Sequence, residues 1–300
     1  MGMKYEFKTA LADEGARLSG FLRKKAGLSL AHLRSLKHIE GAIKVDGLPA
    51  HTNLILRAGQ TVSLECPEKL IALIPCFLEV PVLYESAEVI VYDKPAGMAV
   101  HPTLNHPEGT LANVYAAREH IMGKAGPFRP INRLDKNTSG AVLAAKSRLA
   151  APLLAKTAKK LYLTLAEGEL SGEFVIEAPI GREEGSIIRR CVSEGGKPSA
   201  TRVRALASCG SHSLIEAETL TGRTHQIRVH LAHIGRPLAG DTLYGGSSAL
   251  IGRQALHCAR IEFGEPFKGG KLTLIRSALP EDMLSALRKL GLEEALIRGE

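Results

Sequence analysis

The sequence predicts an α+β protein with a mixed, largely antiparallel sheet and flanking helices, preceded by a small domain that starts with paired helices. Its 300 residues are enough for about two domains of roughly 150 residues each. Three prolines, at positions 67, 75 and 81, break residues 67–82 in the manner of an interdomain linker. After residue 82, strand-like and helical runs alternate without a regular βαβ rhythm. The predicted domains are therefore 1–66 and 83–300, joined by the linker 67–82.

The composition is that of a globular protein with a basic surface. Apolar residues make up 45% and charged residues 23%, which excludes a disordered or fibrous chain. The net charge of +8 is compatible with a polyanionic partner. Five cysteines without a C-x-x-C pair indicate free thiols in a reducing compartment. The most apolar stretch, residues 70–84, is too short and too broken by prolines to span a membrane, so a cytoplasmic protein is expected.

Two apolar stripes predict the paired helices at the start of the chain. Leu18, Phe21 and Leu22 recur at helical spacing within residues 16–26, and a second stripe fills residues 30–39. The polar faces are basic, with Arg23, Lys24, Arg34 and Lys37. On pattern alone, such a face is either a solvated surface or a phosphate-binding surface.

A hairpin and a further strand are predicted after the helices. The Asp46-Gly47 pair between apolar residues suits a tight hairpin turn, and residues 60–66 alternate like a strand. Together with the helices, these runs resemble the small RNA-binding module named after ribosomal protein S-four. The resemblance covers about residues 13–66 and implies that the basic helix face contacts structured RNA.

The densest polar segment is the run from Pro130 to Gly140, just before an apolar strand-like run. An Asp in such a loop either organises a turn or acts as an ionised nucleophile or base. Cations and hydroxyls crowd around Asp135, which favours the ionised form of its carboxyl group.

A second polar segment spans residues 221–235 and predicts a helix of about three turns. Thr224 is expected to cap its start and Gly235 to end it. Arg223 and Arg228 then lie at the end of the helix that disfavours cations, which indicates either solvated side chains or an anionic partner, phosphate or a buried carboxylate. Its three histidines have no local carboxylate or cysteine to complete a metal site, so no metal is predicted.

A third segment, residues 159–166, alternates like a strand. Leu161, Leu163 and Leu165 share one face, and Tyr162 and Thr164 share the other. A tyrosine in this position is usually a packing residue, so the pattern alone leaves its role open.

Together these segments resemble the RluA-type family of RNA pseudouridine synthases over about residues 78–285. The family's R-L-D-x-x-T-S-G signature is present from Arg133 to Gly140, its K-x-Y strand as Lys160-Leu-Tyr162, and its G-R-T-H-Q-I-R-V-H-L run from Gly222 to Leu231. Further matching pieces include 93–102, 235–245 and 256–263. One departure is Asn132, where many members carry His, and it bears on loop packing or RNA contact.

The resemblance implies isomerisation of uridine in RNA to pseudouridine by base flipping, without a cofactor. Asp135 would be the essential carboxylate, as nucleophile or base, Arg228 its ion-pair partner, and Tyr162 a residue against the flipped base that helps remove the C5 proton. Arg133 would fill the gap left in the RNA stack. The residues expected to contact RNA are those of the motifs, Arg133, Lys160, His225 and Gln226, and those of the helix pair, Arg23, Lys24, Arg34 and Lys37.

The substrate expected first is large-subunit ribosomal RNA and second transfer RNA, and a monomer is expected. Three alternatives remain at this point. A hydrolytic glycosidase usually needs two flanking carboxylates, whereas the signature loop contains Asp135 alone. The other two are a binding protein without catalysis and an assembly factor that also modifies RNA.

Overall fold

The computed structural model describes residues 3–66, 73–103, 107–123, 126–268 and 271–299. The strands within these ranges are β1 (Met3–Lys8), β2 (Ile43–Val45), β3 (Leu48–Pro49), β4 (Thr61–Cys66), β5 (Val82–Glu85), β6 (Val89–Lys94), β7 (Arg129–Pro130), β8 (Ser139–Ala145), β9 (Lys159–Glu167), β10 (Glu173–Glu177), β11 (Ile180–Arg182), β12 (Arg190–Val192), β13 (Ala200–Ser208), β14 (His212–Thr219), β15 (Leu256–Gly264) and β16 (Leu272–Arg276). The α-helices are α1 (Leu18–Lys25), α2 (Leu30–Lys37), α3 (Leu111–Ile121), α4 (Ala150–Thr157), α5 (Gln226–His233) and α6 (Glu281–Leu290).

Residues 3–66, the N-terminal unit, form the helix pair α1 and α2 on a four-stranded antiparallel sheet of order β1-β4-β2-β3. Leu18, Phe21 and Leu22 of α1 and Leu33 and Leu36 of α2 are buried in the core of this unit, as the spacing predicts. Leu30, the first residue of the predicted second stripe, is instead exposed at the start of α2. The hairpin at Asp46-Gly47 is confirmed, with φ of +49° and +82° at its two turn residues. The N-terminal unit therefore has a hydrophobic core of its own.

The larger sheet is mixed and almost wholly antiparallel, which confirms the predicted fold class. Its strand order is β10-β13-β14-β9-β15-β8-β6-β5, with β16 beside β15 and β7 beside β8. The one parallel pair among the described strands joins β8 and β15. Both strands are largely buried, and β8 is buried along its whole length. This pairing positions the loop that precedes β8 near the middle of the sheet.

Gly140 makes the close approach of β8 and β15 possible. Its φ is +109°, and a Cβ on it would lie 2.7 Å from the backbone nitrogen of Cys258 and even closer to the carbonyl oxygen of that residue. Only glycine combines this dihedral angle with the absence of a side chain. The glycine of the signature loop is thus required by the sheet itself.

Helix α5 corrects the predicted start of the second polar segment. It begins at Gln226 and has eight residues, about two turns, and Thr224 does not cap it. His225 precedes the helix with a left-handed φ of +58°. The side chain of Gln226 fixes the residues before the helix in place of a capping hydroxyl. Its Oε1 atom accepts hydrogen bonds from Thr221 Oγ1 and from the Arg223 amide. The predicted end is confirmed, because Gly235 follows the helix with a φ of +72°.

The segment between the two sheets has no regular structure from residue 73 to residue 81, and β5 begins at Val82. Residues 67–72 of the predicted linker lie outside the described residues, so the domain boundaries stay a prediction. No helix in the described ranges is long and apolar enough to cross a membrane.

Candidate active site

Asp135 lies in the loop between β7 and β8, and Asn132 holds this loop in place. The Asn132 side chain is buried, donates a hydrogen bond to the Ala141 carbonyl (3.0 Å) and accepts one from the Leu143 amide (2.8 Å). The loop is thereby attached to the side of β8. The departure from the commoner His thus falls on a residue that supports loop packing, while the half-buried Asp135 side chain faces a cavity.

Arg228 connects Asp135 to a second carboxylate. Its Nη1 donates to Asp135 Oδ2 at 3.0 Å, and its Nε and Nη2 donate to the two oxygens of Asp241 at 2.6 and 2.7 Å. Arg228 is 6% exposed and Asp241 2%. Such a bidentate pair fixes the orientation of the guanidinium group, so its remaining nitrogen is aimed at Asp135. The anionic partner expected for Arg228 is therefore a pair of carboxylates.

Electrostatics keep Arg228 charged. Burial opposes the charge of Arg228, but its hydrogen bonds to Asp241 and the negative charges of Asp241 and Asp135 outweigh it and raise the pKa of the guanidinium group. Arg228 is therefore a permanent cation beside Asp135. The geometry can supply an oriented carboxylate, paired with this cation, at the edge of a cavity.

Tyr244 and His225 cover the Arg228 guanidinium group. The Arg228 Cζ lies 5.0 Å from the centroid of the Tyr244 ring, a cation–π distance. The Tyr244 hydroxyl bonds to His225 Nδ1 at 2.8 Å and accepts a hydrogen bond from the Arg190 amide. His225 Nε2 lies 3.7 Å from Asp135 Oδ2, yet burial lowers the pKa of His225, so its imidazole is neutral at neutral pH.

Tyr162 lines the same cavity from strand β9, which β15 separates from β8. It is 7% exposed and pairs across the sheet with Cys258 and Ala217. Burial, followed by the neighbouring Cys258 and Asp135, raises the pKa of Tyr162 well above its ordinary value. Its phenol therefore keeps its proton at neutral pH, with the ring beside the Asp135 loop.

A buried lysine supports the backbone of the Asp135 loop. Lys94, at the end of β6, is 1% exposed, and its Nζ donates to the carbonyls of Pro95, Met98 and Lys136 at 2.9, 2.7 and 3.2 Å. Burial lowers its pKa to about 7. Since Lys136 follows Asp135 directly, the Lys94 side chain fixes the backbone that carries the carboxylate.

A buried chain of hydrogen bonds holds the other end of the loop. Ser139 Oγ bonds to His257 Nδ1 at 2.9 Å, His257 Nε2 lies 3.1 Å from Ser277 Oγ, and Ser277 donates to Asp93 at 2.7 Å. Burial lowers the pKa of His257, so it bridges these groups as a neutral ring. Ser139 is 3% exposed, which makes this chain a structural support and not a nucleophile.

The other predicted RNA contacts fall in different places. Arg133 is exposed at the rim of the cavity, whereas Lys160 is half-buried and does not line it. The Gln226 amide is 4% exposed, accepts two hydrogen bonds and donates two more to Ala200 and Thr201, so it holds the loop together and has no capacity left for RNA. Exposed helix positions in the N-terminal unit carry the remaining four, Arg23, Lys24, Arg34 and Lys37.

Two of the three histidines of the α5 segment, His225 and His230, are used within the fold, and His233 is exposed. His230 is fully buried and bonds to Thr201 Oγ1 and to the Ala178 carbonyl. Across the part of the chain that the structure describes, no three His, Cys, Asp or Glu side chains come together as metal ligands.

Three residues of the site were not singled out from the sequence: Lys94, Asp241 and Tyr244. Each lies in a piece that matches the RluA-type pattern, 93–102 or 235–245. A signal was therefore present, since a carboxylate and an aromatic residue follow Arg228 by 13 and 16 positions. Only the fold shows that the chain returns to the cavity there.

Comparison with known proteins identifies similar chains. Residues 88–233 match the family model described as RNA pseudouridylate synthase, a range that includes Asp135, Tyr162 and Arg228. The uncharacterized RNA pseudouridine synthase YhcT of Bacillus subtilis (strain 168) is 40% identical over 82% of this chain and 84% of its own length. Ribosomal large subunit pseudouridine synthase D of Xanthomonas campestris pv. campestris is 34% identical over 83% of this chain and 82% of its own.

Solved structures show the same architecture. The human RNA pseudouridylate synthase domain containing 1 covers 71% of this chain with a TM-score of 0.55 and 25% identity, and the alignment includes 87% of that protein. Domain containing 4 of the same human series, at 21% identity and a TM-score of 0.55, shares the fold.

Proposed function

Because this chain belongs to the RluA-type family of RNA pseudouridine synthases, we propose that it isomerises specific uridines of large-subunit ribosomal RNA, with Asp135 as the essential carboxylate. The observation that carries the proposal is the hydrogen-bonded chain Asp135–Arg228–Asp241 beside a cavity. An ionised carboxylate in a fixed position is what either nucleophilic attack or proton removal at the sugar requires.

The reaction breaks the N1–C1′ bond of uridine, turns the uracil within the pocket and joins C5 to C1′. Asp135 acts at the sugar, and Arg228 pairs with its carboxylate and orients it. Before this, the target base must leave its stack, which costs a few kcal/mol. Exposed at the rim, Arg133 has the position and the planar group needed to fill the resulting gap in the RNA.

Tyr162 is proposed to lie against the flipped base. A buried ring on the cavity wall can stack with a base, an interaction worth about 1–3 kcal/mol. Its raised pKa means that the hydroxyl holds its proton before the reaction. A part in removing the C5 proton therefore requires that another group first takes the phenolic proton, and the neighbouring Asp135 is the available carboxylate.

Ribosomal RNA is the proposed substrate because it is the one that the similar large-subunit synthases name. We place transfer RNA second. The N-terminal unit would bind structured RNA through Arg23, Lys24, Arg34 and Lys37, which are exposed. A ribosomal substrate also implies a cytoplasmic location, and we propose a monomer.

Pseudouridine maps of total RNA from cells with and without the gene test the substrate. We expect one or more large-subunit sites to disappear in the deletion and to return with the wild-type gene but not with Asp135→Asn. A missing site in transfer RNA alone would make transfer RNA the substrate. Restoration of the site by Asp135→Asn would refute the role of the carboxylate.

Two alternatives are separated by product and phenotype. Free uracil released from RNA would indicate a hydrolytic enzyme, which the proposal does not allow. A ribosome-assembly defect of the deletion that Asp135→Asn still rescues would indicate a binding function beside the catalytic one.

A further inference from the structure

The N-terminal unit is fixed to the rest of the chain by an apolar joint, formed by Leu149, Leu153 and Phe267. Leu149 is 1% exposed and belongs to the hydrophobic core of the N-terminal unit although it lies at the start of α4. Leu153, one turn later, fills the space beside Gly27 in the turn between α1 and α2 so tightly that a Cβ on Gly27 would overlap its Cδ2 methyl group. The helix pair is therefore in direct contact with α4.

Phe267 forms the second side of this joint. Its ring centroid lies 5.1 Å from that of Tyr5 and 6.0 Å from that of Phe7, both on β1. The backbone of Phe267 has a φ of +62°, which is costly for an aromatic residue. A conformation of this kind persists where the surrounding contacts stabilise it, and here Phe267 packs against both the core of the N-terminal unit and that of the larger unit.

Polar contacts border the apolar ones. The Tyr5 hydroxyl donates to Glu88 at 3.0 Å, and Ser147 Oγ donates to the same carboxylate at 2.8 Å. Arg148 Nη2 donates to Ser35 Oγ on α2 at 3.4 Å. The joint is thus held on both α2 and β1, which restricts rotation of the N-terminal unit about either.

Strand β8 connects this joint to the candidate active site. It begins at Ser139, four residues after Asp135, and ends at Ala145, four residues before Leu149. All seven of its residues are buried, and it is paired with β6, β7 and β15. A strand advances about 3.3 Å per residue, so a rigid rod of roughly 20 Å separates the Asp135 loop from the joint.

We propose that the joint makes the N-terminal unit a ruler, which holds its basic helix face at a fixed distance from Asp135 and so selects which uridine reaches the carboxylate. This inference rests on the proposed function and adds a determinant of specificity to it. A unit on a flexible tether would raise the local concentration of RNA without favouring one position. A fixed unit rejects uridines that lie at another distance from the RNA segment bound by the helix face. Such an RNA cannot contact the basic helix face and place its uridine at Asp135 at the same time.

The test disrupts the apolar joint with substitutions that lie outside both the basic helix face and the cavity at Asp135. Leu153→Asp introduces a charge between α4 and the helix pair, and Ala155→Asp introduces the same charge at an exposed position of the same helix as the control. Phe267→Gly is a second opening variant that does not strain the fold, since glycine accepts its positive φ. Two probes are used: a full large-subunit ribosomal RNA transcript and a short stem-loop that carries one mapped uridine.

For Leu153→Asp and Phe267→Gly we expect turnover of the stem-loop to stay within about twofold of wild type, and the preference for the mapped uridine over its neighbours in the full transcript to fall at least about tenfold. Ala155→Asp should behave as wild type. Backbone ¹⁵N relaxation of the full chain should give one rotational correlation time for wild type and two for the opened variants.

Unchanged site preference in opened variants that tumble as two bodies would overturn the ruler, as would independent tumbling of the wild-type N-terminal unit. These outcomes are distinct from failure of the proposed function, in which the wild-type protein would modify neither probe. If Leu153→Asp loses activity on the stem-loop, its site preference cannot be measured, and the site preference of Phe267→Gly in the full transcript is then the deciding measurement.

Discussion

Arg228 is the residue on which the charge balance of the site depends, because it is shared by two carboxylates in different surroundings. Asp241 is fully buried, whereas Asp135 is partly open to the cavity. Loss of the guanidinium group would therefore affect the two partners differently. Asp241 would become an isolated buried charge, and Asp135 would lose its orientation.

Arg228→Ala should accordingly lower both stability and activity. We expect a loss of about 3–5 kcal/mol in the free energy of unfolding, because a buried carboxylate is left without its partner. Arg228→Met combined with Asp241→Asn should recover most of that stability in urea unfolding, with RNA affinity close to wild type and no turnover. A double variant that isomerises RNA at the wild-type rate would show that Arg228 does not act on Asp135.

Lys94 predicts a dependence of stability on pH. Its pKa is about 7 in the fold and that of an ordinary lysine, near 10.4, in the unfolded chain. Between these two pH values Lys94 is protonated in the unfolded chain and deprotonated in the folded one. The free energy of unfolding, compared with that of a variant without this amine, therefore rises with pH from about 7 upwards, and this gain is lost as the pH falls back to about 7. At most, the slope is about 1.4 kcal/mol per pH unit.

Unfolding of wild type and Lys94→Met from pH 7 to pH 10 measures this slope. We expect the free energy of unfolding of wild type to rise relative to that of Lys94→Met as the pH rises. Lys156→Met, at an exposed position of α4, is the control and should run parallel to wild type. Parallel curves for Lys94→Met would mean that Lys94 remains charged throughout.

Individual side chains were predictable where a motif carries the chemistry. The pairing of Arg228 with Asp135 was implied by the family resemblance, and the structure places the two side chains 3.0 Å apart. Gln226 was expected at the RNA and instead holds its own loop, because its amide meets four partners that only folding brings together. Asp241 was missed for the same reason, since its partner is reached through the fold and not through a spacing along one element.

Strand β8 is the element on which the site depends most. Its two ends are set by different requirements, a close backbone approach to β15 at Gly140 and full burial beyond it. Helix α5 contributes through its start, where left-handed His225 turns the chain so that Arg228 is directed inward. A side-chain pattern predicted the existence of this helix but not that turn, which depends on backbone geometry.

Gly140→Ala should disrupt the site through the sheet. The new Cβ would collide with the backbone of Cys258, so we expect a loss of more than about 3 kcal/mol in urea unfolding. Gly210→Ala is the matched control, since Gly210 also has a positive φ, +83°, but no neighbour within 4 Å, and it should cost only about 1 kcal/mol. Equal losses for the two variants would show that β8 and β15 can separate without consequence.

The described residues pack into one hydrophobic core in the N-terminal unit and two in the larger unit, and the chain carries an excess of positive charge. The α+β class and the helix pair followed from apolar periodicity, which depends on neighbouring residues and is readable in the sequence. The contact between the N-terminal unit and α4 was not predictable, because Leu149, Leu153 and Phe267 are unremarkable apolar residues until the fold brings them together.

Salt dependence tests whether the basic helix face of the N-terminal unit binds RNA, as proposed. Lys24→Gln with Lys37→Gln should reduce the slope of log affinity against log salt by about 1.4–1.8, as expected for two lost phosphate contacts, and leave turnover at saturating RNA unchanged. Lys156→Gln with Lys159→Gln removes the same charge elsewhere and serves as the control. An identical reduction in both double variants would assign the effect to net charge.

The site is assembled from distant parts of the chain, and this has a consequence during synthesis. Asp135 meets Arg228 across 93 residues, and Ser139 meets His257 across 118. Contacts of such long range form late in folding, after the intervening loops have closed. A nascent chain therefore cannot complete the centre until the residues through His257 have left the exit tunnel, long after the Asp135 loop itself has emerged.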